Sequence, residues 1–429
     1  MRKMKDSGIA WIGAMPRAWK MNTIAQIFLQ VKCKNTGLQE KNLLSLSYGK
    51  VKRKSIDTVE GLLPESFDGY NIIEKDDIVL RLTDLQNDHT SLRVGLAEER
   101  GIITSAYLTI RNRSNFCPKY LYYYLHSFDI AKGFYGMGAG VRQGLNWDGV
   151  KWLKILAPSV PEQERIAAFL DAECAEIDAV LEKTRASIEE YKKLKQAVIT
   201  QAVTKGIRGD RPMKDSGIEW IGEIPAGVPI SRVGLHFDIV LGKMLCSAPV
   251  DDNYTLESYY CAADVHFEGL SNGEKKKMWF SPDEKEQYCV KNGDLLVVEG
   301  GAGAGGCAIA VSTDVPIYIQ NSIMIVRSKG ISNIRYLRYL LECLVKKGYI
   351  DVVCNKATIP HFTKDKLANV PFIVFSQSEQ EEIAEYLNEK CAGIDALIVK
   401  KQQYLTEIEN YKKSLIYEYV TGKKEVLPL

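Results

Sequence analysis

The sequence contains two copies of one segment, and this internal repeat constrains the fold more than any other feature. Residues 4–16 read Met-Lys-Asp-Ser-Gly-Ile-Ala-Trp-Ile-Gly-Ala-Met-Pro, and residues 213–225 read Met-Lys-Asp-Ser-Gly-Ile-Glu-Trp-Ile-Gly-Glu-Ile-Pro. Ten of the 13 positions are identical without a gap, so that Met4 corresponds to Met213 and Pro16 to Pro225. Self-similarity at a long, fixed period indicates a tandem duplication of a structural unit.

The repeat continues downstream, where the offset between the two copies is slightly larger. The matching segments are Asp77–Leu80 with Asp294–Val297, Glu162–Ala167 with Glu379–Ala384, Ile177–Ala179 with Ile394–Ala396, and Val203–Thr204 with Val420–Thr421. The larger offset places additional residues in the second copy, between about positions 226 and 293. The sequence therefore predicts two related domains of unequal size.

Each copy divides into a short segment rich in Gly, Trp and Pro, a variable block and a long helix. The predicted boundaries are 1–16 for the first short segment, 17–157 for the first variable block, 158–212 for the first long helix with its exit, 213–225 for the repeated short segment, 226–371 for the second variable block and 372–429 for the second long helix.

The long helices are predicted from matching start signals and from heptad spacing. Ser159 with Glu162, and Ser376 with Glu379, form the Ser-x-x-Glu pattern of a capping box, and Pro161 suits a first helical turn. Apolar residues then recur at spacings of three and four over about 30 residues, as in a coiled coil. The apolar seam consists of Leu170, Ile177, Leu181, Ile188 and Val198 in the first helix, and Leu387, Ile394, Ile398, Leu405 and Leu415 in the second.

Such a helix, about 60 Å long at 1.5 Å per residue, cannot pack on its own small domain throughout. The equivalent helix of the other copy is the simplest partner, and closure with approximate two-fold symmetry makes the pair antiparallel. We therefore predict an α+β fold, with a duplicated mixed α/β domain and an antiparallel coiled coil with pseudo-two-fold symmetry. The same symmetry places residues 5–16 beside the end of the second helix, near Val420.

Polar residues repeat within the seam, and their role is open at this point. Thr184 corresponds to Lys401, and Lys195 corresponds to Lys412. Such positions are either partly exposed or set the register of the pair.

The variable blocks combine strand and helix patterns. The first has strand patterns at 77–82 and 106–110 and helical spacing at 118–128, and the second has them at 294–298, 322–326 and 334–344. Loop-rich stretches follow at 136–147 and 355–363. Because the blocks share a scaffold but little loop sequence, we expect them to read different targets.

Charge and cysteine content narrow the class of protein. The chain carries 56 Lys and Arg against 54 Asp and Glu, so any contact with nucleic acid must depend on local charge. Residues 17–157 hold 20 basic and 14 acidic residues, a net charge of +6, whereas residues 225–371 hold 16 of each. The ten cysteines form no Cys-x-x-Cys pair, and we find neither a signal peptide nor a transmembrane stretch. We expect reduced thiols and a cytoplasmic protein.

Motifs for catalysis and for cofactor binding are missing. The run Gly300–Gly306 satisfies Gly-x-Gly-x-x-Gly, but a strand pattern at 307–311 follows it where a dinucleotide-binding fold requires a helix. We therefore predict a glycine-rich loop between strands. The sequence has no Walker motif, no His-Glu-x-x-His, no Gly-x-Ser-x-Gly and no methyltransferase Asn/Asp-Pro-Pro-Tyr/Phe. The five histidines do not fall into ligand spacing, so we expect no metal site and no autonomous enzyme.

Basic runs and polar loops are the candidates for DNA contact. Basic residues suit phosphate contact, although a solvated charged turn is the simpler reading. Arg142 and Gln143 lie in a glycine-rich loop and have the side chains that pair with guanine and adenine. The predicted DNA-binding residues are Lys50, Lys52, Arg53, Lys54, Arg142, Gln143, Lys275, Lys276, Lys277, Asn355, Lys356 and His361.

The repeated Met-Lys-Asp-Ser-Gly-Ile-x-Trp-Ile-Gly segment, the Glu-Gln-Glu-x-Ile-Ala helix start and the Val-Thr helix end together resemble specificity subunits of type I restriction–modification systems. The resemblance covers essentially the whole chain. It implies two target-recognition domains, each reading one half of a split, double-stranded DNA sequence, and paired helices that fix the spacing between the halves.

The resemblance also implies partners and a division of labour. Such a subunit has no catalysis of its own and binds no cofactor. It assembles with two methyltransferase subunits, which use S-adenosylmethionine, and with motor-nuclease restriction subunits, which use ATP and Mg²⁺. The residues alone leave two other classes open, a stand-alone coiled-coil DNA-binding regulator and an enzyme whose active site carries no recognised motif.

Overall fold

The structure is a computed structural model that describes residues 2–55, 66–137, 144–354 and 360–427. The chain forms two units, one made of Met1–Arg185 with Gln403–Leu429 and the other of Ala186–Gln402. These units cut across the two sequence repeats, because each contains the start of one long helix and the end of the other. The predicted α+β class is confirmed.

The first unit is built around a four-stranded antiparallel sheet and one medium-length helix. Its strands are β1 (Met4–Asp6), β2 (Ala14–Pro16), β3 (Lys20–Thr23), β4 (Phe28–Gln30), β5 (Leu44–Ser47), β6 (Lys50–Arg53), β7 (Asn71–Ile73), β8 (Ile78–Leu80), β9 (Val94–Leu96), β10 (Gly101–Ile103), β11 (Leu108–Asn112) and β12 (Lys154–Ala157). Its helices are α1 (Ile24–Ile27), α2 (Pro118–Ile130), α3 (Trp147–Val150) and the beginning of α4 (Val160–Lys205). The central sheet has the order β4-β11-β8-β9.

The second unit repeats this plan with additional strands. Its strands are β13 (Met213–Asp215), β14 (Glu223–Pro225), β15 (Ile230–Arg232), β16 (Phe237–Leu241), β17 (Thr255–Tyr260), β18 (Val265–His266), β19 (Gly269–Leu270), β20 (Lys276–Phe280), β21 (Leu295–Val298), β22 (Cys307–Ile309), β23 (Tyr318–Ile319), β24 (Ile323–Ser328) and β25 (Pro371–Ile373). Its helices are α5 (Val233–His236), α6 (Pro282–Tyr288), α7 (Ile334–Lys346), α8 (Tyr349–Val353), α9 (Lys364–Ala368) and the beginning of α10 (Gln377–Val420). The central sheet has the order β16-β24-β21-β22.

The two central sheets correspond strand by strand, as the duplication predicts. Strands β4 and β16, which begin at Phe28 and Phe237, keep the offset of the short repeated segments. Strands β8 and β21, which begin at Ile78 and Leu295, already have the larger downstream offset. The additional residues of the second copy therefore lie between β16 and β21, within the range predicted from the sequence.

The extra residues of the second copy build a larger subdomain at this place. There the second unit has β17 to β20, of which β17 and β20 pair and are joined by β23 from farther along the chain, while the first unit has the hairpin β5-β6 and β7. The remaining scaffold is shared, and the predicted helices at 118–128 and 334–344 are confirmed as α2 and α7.

The repeated Glu-Gln helix start has the same structural cause in both units. In the first unit, Gln163 accepts a hydrogen bond at 3.0 Å from the backbone N–H of Cys117, which caps α2. In the second unit, Gln380 accepts one at 2.8 Å from the N–H of Asn333, which caps α7. Both glutamines are buried. A buried amide needs its hydrogen bonds, so this residue couples the start of the long helix to the start of the domain helix.

Within the first unit, the beginning of α4 pairs with the end of α10. The Lys412 ammonium lies 2.5 Å from an Asp178 carboxylate oxygen, and the Arg185 guanidinium donates to Glu409 at 2.6 Å. Residue numbers rise along α4 as they fall along α10, so these two segments are antiparallel.

Within the second unit, the end of α4 pairs with the beginning of α10. The Lys195 ammonium donates to both carboxylate oxygens of Asp395 at 2.7 and 2.8 Å, and the Lys401 ammonium lies 5.6 Å from the centre of the Tyr191 ring. The order of these contacts is again antiparallel. Three of the four polar seam positions therefore bridge the helices, while the Thr184 hydroxyl donates to the carbonyl of Val180 in its own helix.

The apolar seam accounts for most of the stability of these pairs, because exposed ion pairs contribute under about 1 kcal/mol each. Burying a leucine or isoleucine contributes roughly 1.5–3 kcal/mol before entropic costs. Val198 and Leu405 are half-buried. The remaining predicted seam residues are buried: Leu170, Ile177, Leu181, Ile188, Leu387, Ile394, Ile398 and Leu415.

The N-terminal segment lies against the end of α10, as the sequence predicted. The Tyr417 hydroxyl donates to the carbonyls of Trp11 and Ile12 at 3.1 and 3.2 Å, and the Lys423 ammonium donates to Ile12 at 2.7 Å. Gly422 ends the helix with a positive φ of 73°, and a Cβ there would lie 2.4 Å from Pro16. Only glycine combines this left-handed helix end with so close a neighbour.

All ten cysteines are free thiols. Within the described ranges, no helix is both long and apolar enough to cross a membrane.

Candidate nucleic-acid interface

Each unit brings two loops together at one end of its central sheet. In the first unit, the loop of residues 81–93 joins β8 to β9, and its Leu82 carbonyl accepts a hydrogen bond at 2.9 Å from the N–H of Leu145. In the second unit, the Glu299 carbonyl accepts one at 2.6 Å from the N–H of Phe362. Leu82 corresponds to Glu299, and Leu145 corresponds to Phe362, by the downstream offset of the repeat. The two units therefore use the same loop pair at the same place, although the loop sequences differ.

The first of these loops, residues 81–93, is wrapped around a buried guanidinium, and we call it the arginine-centred loop. The side chain of Arg93 has an exposed fraction of 0%. Its Nη1 donates to the carbonyls of Arg81 and Thr83 at 3.1 and 2.8 Å, and its Nη2 donates to those of Asp84 and Asp88. Because an unsatisfied buried charge is costly, these bonds hold the loop in one shape.

Tyr135 completes this arrangement from the chain after α2. Its hydroxyl accepts a hydrogen bond from Arg93 Nε at 3.0 Å, and its ring stacks on His89 at 5.1 Å. The Lys132 ammonium lies 4.7 Å from the centre of the same ring. Hydrogen bonds from Ser91 lower the pKa of Asp88 far below its usual value, so that carboxylate stays ionised. The loop is therefore ordered by charge as well as by packing.

The equivalent loop of the second unit is residues 299–306, which we call the glycine loop. It passes from β21 into β22, so the prediction of a glycine-rich loop between strands is confirmed and a dinucleotide-binding turn is excluded. Gly305 has a positive φ of 81°, and a Cβ there would lie 2.8 Å from Ile350. Gly300 forms a backbone bridge with His361. His361, one of the predicted DNA-binding residues, is exposed beside this loop.

The predicted basic run of the first unit forms strand β6 and the residue after it. Lys50, Lys52, Arg53 and Lys54 are all exposed. The Arg53 guanidinium already donates to Glu99 at 2.6 Å, and the Lys50 ammonium lies 3.7 Å from Asp178. The turn before β6 adjoins the arginine-centred loop, since a Cβ at position 49 would lie 3.1 Å from that of Leu92.

The predicted basic run of the second unit divides into two parts. Lys276 and Lys277 are exposed on β20, an edge strand, where lysines also discourage pairing between molecules. Lys275 is different, because its ammonium donates to Asp264 at 3.0 Å and to the Ser271 carbonyl at 2.6 Å. Its side chain is only 10% exposed. Lys275 thus holds its own loop together and is a poor candidate for phosphate contact.

Four predicted residues, Arg142, Gln143, Asn355 and Lys356, lie outside the described residues. In sequence, these residues come shortly before the second member of each loop pair, because the described chain resumes at residue 144, next to Leu145, and at residue 360, close to Phe362.

Sequence reasoning missed two ion pairs, each with a buried carboxylate, at the end of the central sheet opposite the loop pairs. At the start of β8, Asp77 accepts two hydrogen bonds at 2.7 Å from Arg111. At the equivalent position before β21, Asp294 accepts them from Arg327 at 2.8 and 2.7 Å. The repeated Asp-x-x-[Leu/Val] match is present in the sequence, but no local pattern links either aspartate to its arginine partner. Arg93 had no signal, since one arginine in a polar loop is unremarkable until its burial is known.

Two buried titratable groups lie on α2, below the arginine-centred loop. Burial lowers the pKa of His126 to about 4 and raises the pKa of Asp129 to about 6. The neutral form of each group is therefore favoured in the folded state. Folded stability should rise with pH through His126 and fall with pH through Asp129, between about pH 4 and 6.5.

No group of His, Cys, Asp and Glu suited to a metal ion occurs among the described residues. The loop pairs present exposed polar side chains and backbone groups on a rigid scaffold, an arrangement suited to recognition.

The second half of the chain matches a known protein family. Residues 268–407 match the family described as Type I restriction modification DNA specificity domain. The predicted family resemblance is confirmed. No curated relative matches the sequence of the chain. The family match covers β19 to β24, α7 and much of α10, so it includes the glycine loop.

Solved structures show the same fold. One of these is a chain of a structure that concerns complex assembly and conformational transition of the type I R-M system. It matches with a TM-score of 0.71 and 18% identity, over 96% of this chain and 99% of that one. The HsdS subunit from Thermoanaerobacter tengcongensis matches with a TM-score of 0.52 and 16% identity, over 96% of this chain and 98% of that one. The chain therefore has the fold of type I specificity subunits over nearly its whole length.

Proposed function

We propose that this chain is the DNA-recognition subunit of a type I restriction–modification complex. Each unit reads one half of a bipartite double-stranded target, and the paired helices set the distance between the halves. The observation that carries the proposal is the repeated loop pair: two units hold equivalent loops at equivalent places, with different side chains. Two such readers suit an asymmetric target with a fixed spacer, as dimeric readers suit spaced half-sites.

The chain contributes recognition and leaves chemistry to partners. The proposed partners are two methyltransferase subunits, docked on the helices, and restriction subunits, with S-adenosylmethionine, ATP and Mg²⁺ bound by the partners rather than by this chain. The near-neutral charge of the second block supports this division, because strong phosphate binding requires many uncompensated basic residues. Exposed Lys50, Lys52, Lys54, Lys276 and Lys277 are proposed to orient the units on phosphates.

Matched insertions in the two helices test the spacing function. Seven residues added between Arg185 and Ala186, and seven between Gln402 and Gln403, lengthen both helices by about 10 Å and preserve the heptad seam. The recognised sequence is read by methylome sequencing of a host that also expresses the methyltransferase subunits. We expect unchanged half-sites and a spacer longer by about three base pairs, at about 3.4 Å per base pair.

The outcomes separate the alternatives. Altered half-sites with an unchanged spacer would contradict the spacing function. A chain that binds one continuous site as a tight homodimer, without methyltransferase subunits, would instead identify a stand-alone coiled-coil regulator. Insertion into α4 alone is the control, and it should abolish methylation because the two helices no longer match.

A further inference from the structure

The arginine-centred loop has features of a base-reading element that the predicted basic runs lack. Every donor of the Arg93 guanidinium is used: five N–H groups meet four loop carbonyls and the Tyr135 hydroxyl. The backbone N–H of Arg93 also donates to Asp129 at 2.6 Å. An exposed loop that encloses a fully satisfied buried cation loses little entropy when it binds, because its shape is already set.

The tip of this loop presents amide side chains to solvent. Gln86 and Asn87 are both exposed. The Asn87 side-chain amide donates to Asp84 at 2.8 Å, which orients it. A ring nitrogen of His89 lies 2.8 Å from the Gln86 carbonyl, which further fixes the tip. Amide side chains are the groups that pair in two places with the edge of adenine.

The glycine loop is the natural comparison. It occupies the same place in the second unit, yet residues 300–306 consist only of glycine and alanine. That loop can approach DNA closely, but apart from Glu299 at its first position it has no polar side chain with which to pair with a base edge. The difference between two otherwise equivalent loops indicates that the first unit uses this position for reading and the second does not.

We infer that Gln86 and Asn87 read an adenine-containing base pair in the half-site of the first unit, and that Arg93 is the positioning residue that holds them. This inference rests on the proposed function. It concerns residues distinct from Arg142 and Gln143, and it places a specificity determinant between β8 and β9.

Selection from a pool of randomised DNA duplexes tests the inference, with the full chain assembled with methyltransferase subunits. For Gln86→Ala and Asn87→Ala, we expect the preference for adenine at one or two positions of a single half-site to fall about 5- to 150-fold, as one lost bidentate contact implies. The other half-site and the spacer should be unchanged.

Asn115→Ala is the matched control, since Asn115 is also an exposed loop amide of the first unit. Leu80, which precedes the arginine-centred loop, pairs with Leu108 at the beginning of β11. Asn115 follows the other end of β11, so it lies toward the opposite end of the sheet from the loop. This control should retain the complete motif.

Arg93→Lys tests positioning, because an ammonium cannot span the same five acceptors. We expect weaker discrimination in the same half-site with an unchanged salt dependence of binding; a uniform loss of binding to all sequences would contradict a positioning role. A wild-type motif that persists in both amide variants would overturn the inference alone. A wild-type pool without any bipartite motif would overturn the proposed function, and the inference with it.

Discussion

Removal of one buried hydroxyl tests how each domain holds the end of a long helix. The Tyr336 hydroxyl lies between the carbonyls of Val203 and Ile373, at 3.0 and 3.2 Å. Val203 is in the last turn of α4, where carbonyls lack partners within the helix. Burial raises the pKa of Tyr336 well above its usual value, so the hydroxyl remains a donor at all working pH values.

The substitution Tyr336→Phe keeps the ring and removes only this donor. Tyr336 has an exposed fraction of 0%, so water cannot replace the lost hydrogen bond without opening the core. Leaving a buried carbonyl without a partner costs about 1–3 kcal/mol. If that cost falls on local opening of the helix end, the opening constant should rise about 5- to 150-fold.

Native-state hydrogen exchange, read on peptides that cover residues 198–206, measures this opening directly. The matched control is Tyr120→Phe in the first unit, where the hydroxyl donates to Leu156 at 2.9 Å and lies 3.4 Å from the Val420 carbonyl. That control should speed exchange at the end of α10 and leave the end of α4 unchanged. Unchanged exchange in both variants, or equal effects at both helix ends, would refute the reasoning.

Further predictions concern the first unit. Gly422→Ala should lower the free energy of unfolding by at least about 1–2 kcal/mol, because it forces alanine into a left-handed conformation against Pro16; urea titration measures this, and an unchanged midpoint would contradict it. Deletion of residues 2–16 should speed proteolysis near the end of α10, whose Tyr417 loses its acceptors; unchanged protease resistance there would show that the contact is unimportant. Relative to wild type, the free energy of unfolding of His126→Gln should fall by up to about 3 kcal/mol between pH 4 and 6.5, because the variant lacks the lowered pKa of the histidine, whereas that of Asp129→Asn should rise by a similar amount; pH profiles by urea titration that match wild type would exclude both shifts.

The sequence by itself determined the duplication, the long helices and the class of fold. Repeats and heptads are local, periodic signals, so they can be read without knowledge of distant contacts. The capping residues Ser159 and Ser376 gave both helix starts to within a residue, since α4 begins at Val160 and α10 at Gln377. The glycine run was also interpreted correctly, because the strand pattern that follows it is local.

Only the tertiary structure decided how the helices divide between units and which polar residues are available. Each unit combines the start of one helix with the end of the other, which no local pattern specifies. Lys275 and Arg93 look like any other basic residues in the sequence. Their roles depend on carbonyls and carboxylates that folding brings around them. The burial of these charges, and with it the shape of the arginine-centred loop, is therefore a property of the tertiary structure that no local sequence pattern specifies.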